Sequence, residues 1–148
     1  MFLLKKNPKS IMDVLGISGR LVKSGKEIVT AGEIVYGGSQ HVGTAVIQVN
    51  KKFPEVRSGI NIKYDPKIIA NAKKSKFTVL SYDRSKEPKK SKQKESSSIS
   101  WGISNSLNAK SPDVIYHKGD IGKEPMILIF GKNPDEIIRK VSKLASFR

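Results

Sequence analysis

The chain has 148 residues, enough for one domain with a real core and too few for two comfortable ones. It contains no cysteine, which excludes disulfide staples, zinc-thiolate centres and cysteine nucleophiles. Its 28 basic residues against 13 acidic ones give a net charge of +15, so polyanions and phosphorylated molecules concentrate near its surface.

Met1 to Leu4 is a brief apolar start cut off by Lys5 and Lys6, shorter than the apolar region of a secretory signal. No run approaches the ~20 apolar residues of a membrane span, and a cytoplasmic protein without a membrane segment is expected. Asn7-Pro8-Lys9-Ser10, followed by Ile11, Met12, Val14 and Leu15, reads as a short helix closed by Gly16. Arg20 to Lys23 and Glu27 to Thr30 flank Ser24-Gly25-Lys26 with β-branched residues in near alternation, the pattern of a β-hairpin.

Gly37-Gly38-Ser39 breaks that pattern, and His41, Val42, Ala45, Val46 and Val49 then recur at helical spacing as far as about Lys52, with Pro54 as the stop. Glycines and a serine at a helix start place backbone N–H groups and the positive end of the helix dipole together, a physical anion site. Val56 to Tyr64 alternates in part, and Asp65-Pro66 opens a helix through Ile68, Ile69 and Ala72. Phe77 to Tyr82 reads as the strongest strand, completing a strand, helix, strand unit and delivering Asp83, Arg84 and Glu87 to its C-terminal end.

The lysine- and serine-rich stretch from Ser85 to Ser98 lacks an apolar anchor and is expected to be a mobile loop. A short helix around Ile103 to Leu107 follows, then strands at Asp113 to Tyr116 and Met126 to Phe130. Asn133-Pro134-Asp135-Glu136 caps a last helix with Ile137, Ile138, Val141 and Leu144 on one stripe. Five or six strands with interspersed helices make this an α/β chain.

Three polar clusters sit at strand and helix ends: Ser18-Gly19-Arg20, Gly37-Gly38-Ser39-Gln40-His41, and Ser81-Tyr82-Asp83-Arg84 with Glu87. There is no nucleophile elbow, P-loop lysine motif or HExxH, and two histidines, His41 and His117, are too few for a multi-histidine metal cage. Carboxylates suffice to hold Mg²⁺ together with substrate phosphates; no organic cofactor is indicated. Nucleic acid is the first polyanion to weigh against the charge. No helix-turn-helix, zinc finger or aromatic-studded strand accompanies it, so small phosphates or diphosphates are the favoured ligands.

Taken in order, the strings Asp13 to Arg20, Tyr36 to Val42, Pro54 to Tyr64, Ser81 to Pro88, Pro112 to Tyr116 and Gly122 to Met126 resemble the ThiN family of thiamine-phosphate synthase domains over nearly the whole chain. Members are fused to a hydroxymethylpyrimidine kinase or to DNA-binding domains as regulators. The resemblance implies a three-layer α/β/α sandwich with a mixed, mostly antiparallel sheet, similar to class II aldolases. It implies a reaction joining hydroxymethylpyrimidine diphosphate to hydroxyethylthiazole phosphate, giving thiamine phosphate and diphosphate.

By the same resemblance Arg20 and His41 match positions tied to activity, with Arg20 assigned to the diphosphate and His41 to a hydrogen bond or proton given to a phosphate oxygen. Asn61, Asp83, Arg84 and Glu124 match further motif positions as ligand contacts, and Gly37, Gly38 and Ser39 are expected to offer backbone N–H groups. His117 stands where relatives tend to be acidic. Relatives carry an upstream segment with a Pro-Glu-Val-Gly-like stretch that this single-domain chain, residues 1–148, starts too late to contain, as for a piece of a kinase fusion, a trimmed chain or a divergent stand-alone copy. The alternatives are a sensor that binds thiamine phosphates without turnover, and a basic nucleic-acid-binding domain; an oligomer is compatible with each.

Overall fold

The computed structural model describes residues 2–145, so Met1 of the apolar start lies outside it. Among the described residues there are nine strands and four α-helices, the mixed α/β composition expected. The strands are β1 (Phe2–Leu4), β2 (Val14–Ile17), β3 (Arg20–Ser24), β4 (Glu27–Ala31), β5 (Ile34–Tyr36), β6 (Ser58–Lys63), β7 (Val79–Ser81), β8 (Val114–His117) and β9 (Met126–Gly131). The helices are α1 (Gln40–Lys52), α2 (Pro66–Lys74), α3 (Glu95–Ser106) and α4 (Pro134–Ala145). None of these helices is long and apolar enough to cross a membrane.

Seven strands form one sheet in the order β5-β2-β1-β6-β9-β8-β7, and β3 and β4 form a separate hairpin. Every neighbouring pair in the large sheet is antiparallel except β7 and β8, which makes the sheet mixed and mostly antiparallel. The pleat sends alternate residues of β9 to opposite faces. Leu128 and Phe130 join Val42, Ala45, Val46 and Val49 of α1 and Ile99 and Ile103 of α3. Ile127 and Ile129 join Ile69 and Ala72 of α2 and Ile137 and Leu144 of α4. Both faces of β9 are therefore buried, which is why its sequence is an unbroken apolar run.

The alternating and helical-period segments fold as read: α1, α2 with its Asp65 cap, β6, β8, β9, α4 and the hairpin. Four readings are corrected. Residues 7–15 do not form a helix. Ser10 caps a single 3₁₀ turn at Ile11–Asp13 through a capping box with Asp13, and the chain then enters β2, whose partners β1 and β5 claim its backbone groups. Phe77 to Tyr82 yields only the three-residue edge strand β7, and β9 is the strong central one.

The strand, helix, strand unit is not adjacent in space either, because β9 and β8 lie between β6 and β7. Finally, the stretch from Ser85 to Ser98 is not one loop. It holds 3₁₀ turns at Arg84–Lys86 and Ser91–Gln93, and Glu95 to Ser98 are the first turn of α3, a helix that starts well before Ile103. What anchors that turn is tertiary: Ser98 and Ile99 are buried.

Candidate active site

The loops at one end of the large sheet surround a cavity of about 790 Å³. Arg20 enters from the first strand of the hairpin. Its neighbour Gly19 allows that hairpin to leave the sheet, because a Cβ there would overlap the Ala31 carbonyl. Ser39 and His41 enter from the start of α1, Asn61 and Lys63 from the end of β6, Arg84 from its 3₁₀ turn, Glu95 from the start of α3, and Lys123 and Glu124 from the loop between β8 and β9. Residues from six separate segments thus converge on one concavity at strand and helix ends, the usual place for a ligand in layered α/β folds.

Of the residues the sequence singled out, Arg20, Ser39, His41, Asn61, Arg84 and Glu124 share this cavity. Gly37, Gly38 and Asp83 are elsewhere. The Gly37 N–H donates to the Val14 carbonyl at 2.9 Å, and a Cβ on Gly38 would meet the Gly16 carbonyl at 2.6 Å. These two glycines let the chain cross β2 and β5 closely before α1, a packing task. Asp83 caps the 3₁₀ turn through Ser85, accepting from its N–H at 2.9 Å and its hydroxyl at 2.7 Å. It faces a second cavity, of about 760 Å³, with Tyr82, Trp101 and Tyr116.

Arg84 is 4% exposed, so its charge has to be compensated inside the protein. It donates to the Ser98 hydroxyl at 2.5 Å and stands 3.6 Å from Glu87 and 3.7 Å from Glu95. Glu95 gathers more than Arg84. One of its oxygens lies 3.4 Å from His41 Nδ1, and the other accepts from Lys123 Nζ at 2.7 Å. Burial would raise the Glu95 carboxyl, but the hydrogen bond and charge of Lys123, with Arg84 and His41, hold it below the usual range.

His41 is held below the ordinary imidazole range by burial and by the charges of Arg84 and Lys123, against the opposing pull of Glu95. His117, at the end of β8, is fully buried against the Tyr82 ring, with centroids 5.1 Å apart, and burial pushes it down to about 4. Its Nδ1 accepts the Gly119 N–H at 3.1 Å, so the ring proton sits on Nε2. Tyr82 is pushed up to about 12, chiefly by burial. His41 Nε2, His117 Nε2, Tyr82 Oη and Glu87 Oε1 are all buried without a protein partner around Arg84. Such perturbed polar groups clustered beside a cavity mark functional sites.

Sequence reading missed Glu95, Lys123 and Lys63. Glu95 sits in a serine-rich stretch that reads as loop, and its partner Lys123 is 28 positions away. The Gly122-Lys123-Glu124 string was the one available signal for that loop.

A protein-family model described as thiamine-phosphate synthase ThiN matches residues 3–143. Thiamine-phosphate synthase ThiN of Methanothermobacter thermautotrophicus is 37% identical over 142 residues, covering 95% of this chain and 75% of that protein. The bifunctional thiamine biosynthesis protein ThiDN of Methanocaldococcus jannaschii is 38% identical over 139 residues, covering 90% of this chain but only 31% of that protein. Among solved structures, the C-terminal domain of a phosphomethylpyrimidine kinase superposes with a TM-score of 0.88 at 41% identity, covering 97% of this chain and 82% of that one. The C-terminal domain of protein MJ0236 superposes with a TM-score of 0.86 at 33% identity, covering 97% and 78%.

Proposed function

The chain belongs to the thiamine-phosphate synthase ThiN family, and from that premise we infer that its cavity joins hydroxymethylpyrimidine diphosphate to hydroxyethylthiazole phosphate. The observation that carries this reading is the meeting of Arg20 and His41 on one cavity with Lys63, Arg84 and Lys123. In the reaction the bond between the pyrimidine methylene and the diphosphate oxygen breaks, and the oxygen keeps the electron pair. The thiazole nitrogen donates its lone pair to the same carbon. Little acid–base machinery is needed for this. The protein has to align the nitrogen with the methylene and stabilise the departing anion.

In this reading Arg20, Arg84 and Lys123 bind phosphate oxygens. His41, whose pKa is lowered chiefly by burial, takes part by giving a hydrogen bond or proton to a phosphate oxygen. Asn61, Ser39 and Glu124 are ligand contacts on the same wall. No group of three or more His, Asp or Glu suited to hold a metal exists among the described residues. Glu124 on the wall still fits Mg²⁺ carried with substrate phosphates, where it would neutralise phosphate charge. The helices on both faces of the sheet support the three-layer, class II aldolase-like assignment, and the biosynthetic relatives support a cytoplasmic setting.

Purified protein supplied with both substrates is expected to form thiamine phosphate, read by chromatography. Binding of thiamine phosphate without its formation would move the chain to the sensor class. Retention on DNA that falls steeply with salt, with neither activity nor thiamine-phosphate binding, would favour the nucleic-acid reading.

A further inference from the structure

Three cationic or imidazole groups from three different segments meet on one carboxylate. His41 comes from α1, Arg84 from the 3₁₀ turn after β7, and Lys123 from the loop before β9. Glu95, at the first position of α3, touches all three, at 3.4, 3.7 and 2.7 Å. Its place in the first helical turn is itself favourable for a carboxylate, so the group is held where the helix dipole wants it.

The three contacts do not depend on Glu95 equally. Arg84 is anchored a second time by Glu87 and Ser98 in the interior. Lys123 follows Gly122, at a φ of +71°, and bridges Asp120 through its backbone, on a loop whose residues 121–125 are exposed. Its Nζ meets Glu95 at 2.7 Å, a contact spanning from that loop to α3. Without it a four-carbon stem with three rotatable donors would sweep a wide volume.

We propose that Glu95 is the positioning residue of this cavity: it fixes Lys123, and with it the imidazole of His41, in the arrangement that grips a diphosphate. This rests on the reading of the cavity as an anion site and goes beyond it, because an acidic residue inside such a site would on charge alone oppose the ligand. Two effects therefore pull in opposite directions. Removing the charge while keeping the size, as in Glu95→Gln, strengthens anion binding if electrostatics dominates. It weakens binding if the position of Lys123 dominates.

The experiment is calorimetric titration of inorganic diphosphate into the full chain at one fixed salt concentration, for the wild type, Glu95→Gln, Lys123→Met and the double variant. Positioning predicts roughly tenfold weaker binding for Glu95→Gln, and a change of less than about twofold when Lys123 is already Met. In parallel, NMR titration of His41, which faces Glu95, Arg84, Lys123 and His117, should move to lower pH in Glu95→Gln. The carboxylate that favours the imidazolium is then gone, so an unmoved midpoint would show that His41 and Glu95 are not in contact. Equal or tighter diphosphate binding by Glu95→Gln, the same loss with and without Lys123, or an unmoved His41 midpoint would overturn the proposal. A wild type that fails to bind diphosphate would instead overturn the anion-site reading, and this proposal with it.

Discussion

The guanidinium of Arg84 and the carboxylate of Glu87 stand 3.6 Å apart with both side chains almost wholly buried. Breaking one half of such a pair leaves an uncompensated charge in the interior, whereas replacing both halves by apolar groups need not cost stability. Glu87→Ala is therefore expected to lower unfolding stability by about 3 kcal/mol, softened by the remaining contacts of Arg84 to Ser98 and Glu95. The double variant Arg84→Met with Glu87→Leu should recover most of that loss yet lack turnover. Denaturant unfolding beside the activity assay checks both. A Glu87→Ala protein as stable as wild type would show that the pair is not what satisfies Arg84.

Arg20 and His41 contribute little to the core, since Arg20 is on an exposed strand and His41 is only half-buried at a helix start. Arg20→Ala and His41→Ala should each leave the melting temperature close to wild type. Each should lower the rate by roughly 10²–10³-fold, the cost of losing one preorganised charge or donor at a departing anion. Near-normal rates in both variants would place the reaction somewhere else on the protein.

How much of this was legible beforehand depends on where each signal lies. α1, α2 and α4 carry their apolar faces at helical spacing, and β9 carries a continuous apolar run, so each is written in its own residues. β2 is not. Pro8 and Ser10 imitate a helix start, and only pairing with β1 and β5 makes the following Val14-Leu15-Gly16-Ile17 a strand. The start of α3 is a run of serines, weak helix formers, and it is helical because Ser98 and Ile99 fit beneath Arg84 and α1. The same non-locality hid Glu95, whose role comes from residues at positions 41, 84 and 123.

His117 gives the fold a pH dependence of definite sign. Its pKa is pushed to about 4 when folded, first by burial and then by the charges of Arg84 and His41, against the 6.5 of an ordinary imidazole. Between those values the unfolded chain binds the extra proton, so stability is complete above about pH 6.5 and falls as the pH drops toward 4. The loss attributable to this residue is on the order of 3 kcal/mol. His41, also lowered, adds to it in the same direction. Unfolding curves measured between pH 7.5 and 4.5 should show this decline in wild type and a shallower one in His117→Gln. Parallel curves for the two proteins would mean that His117 is not held neutral.

Gly102 offers a test in which two general rules oppose each other. It lies inside α3, where exchange of glycine for alanine ordinarily stabilises a helix by about 1 kcal/mol. Here, however, an added Cβ would come within 2.3 Å of the Tyr82 ring, whose other neighbours are Trp101, edge-on at 6.3 Å, and His117. The ring stands between the buried polar cluster around Arg84 and the second cavity, so it relieves the clash only by shifting toward that cavity and giving up its packing on Trp101 and His117. Overpacking of that kind costs roughly 1–3 kcal/mol, which exceeds the helix gain. Gly102→Ala should therefore be less stable than wild type, and its tyrosine absorbance should titrate below the pH of about 12 expected for buried Tyr82, as the hydroxyl is pushed toward water. A more stable Gly102→Ala protein with an unchanged tyrosine titration would mean that α3 and Tyr82 are not in contact as described.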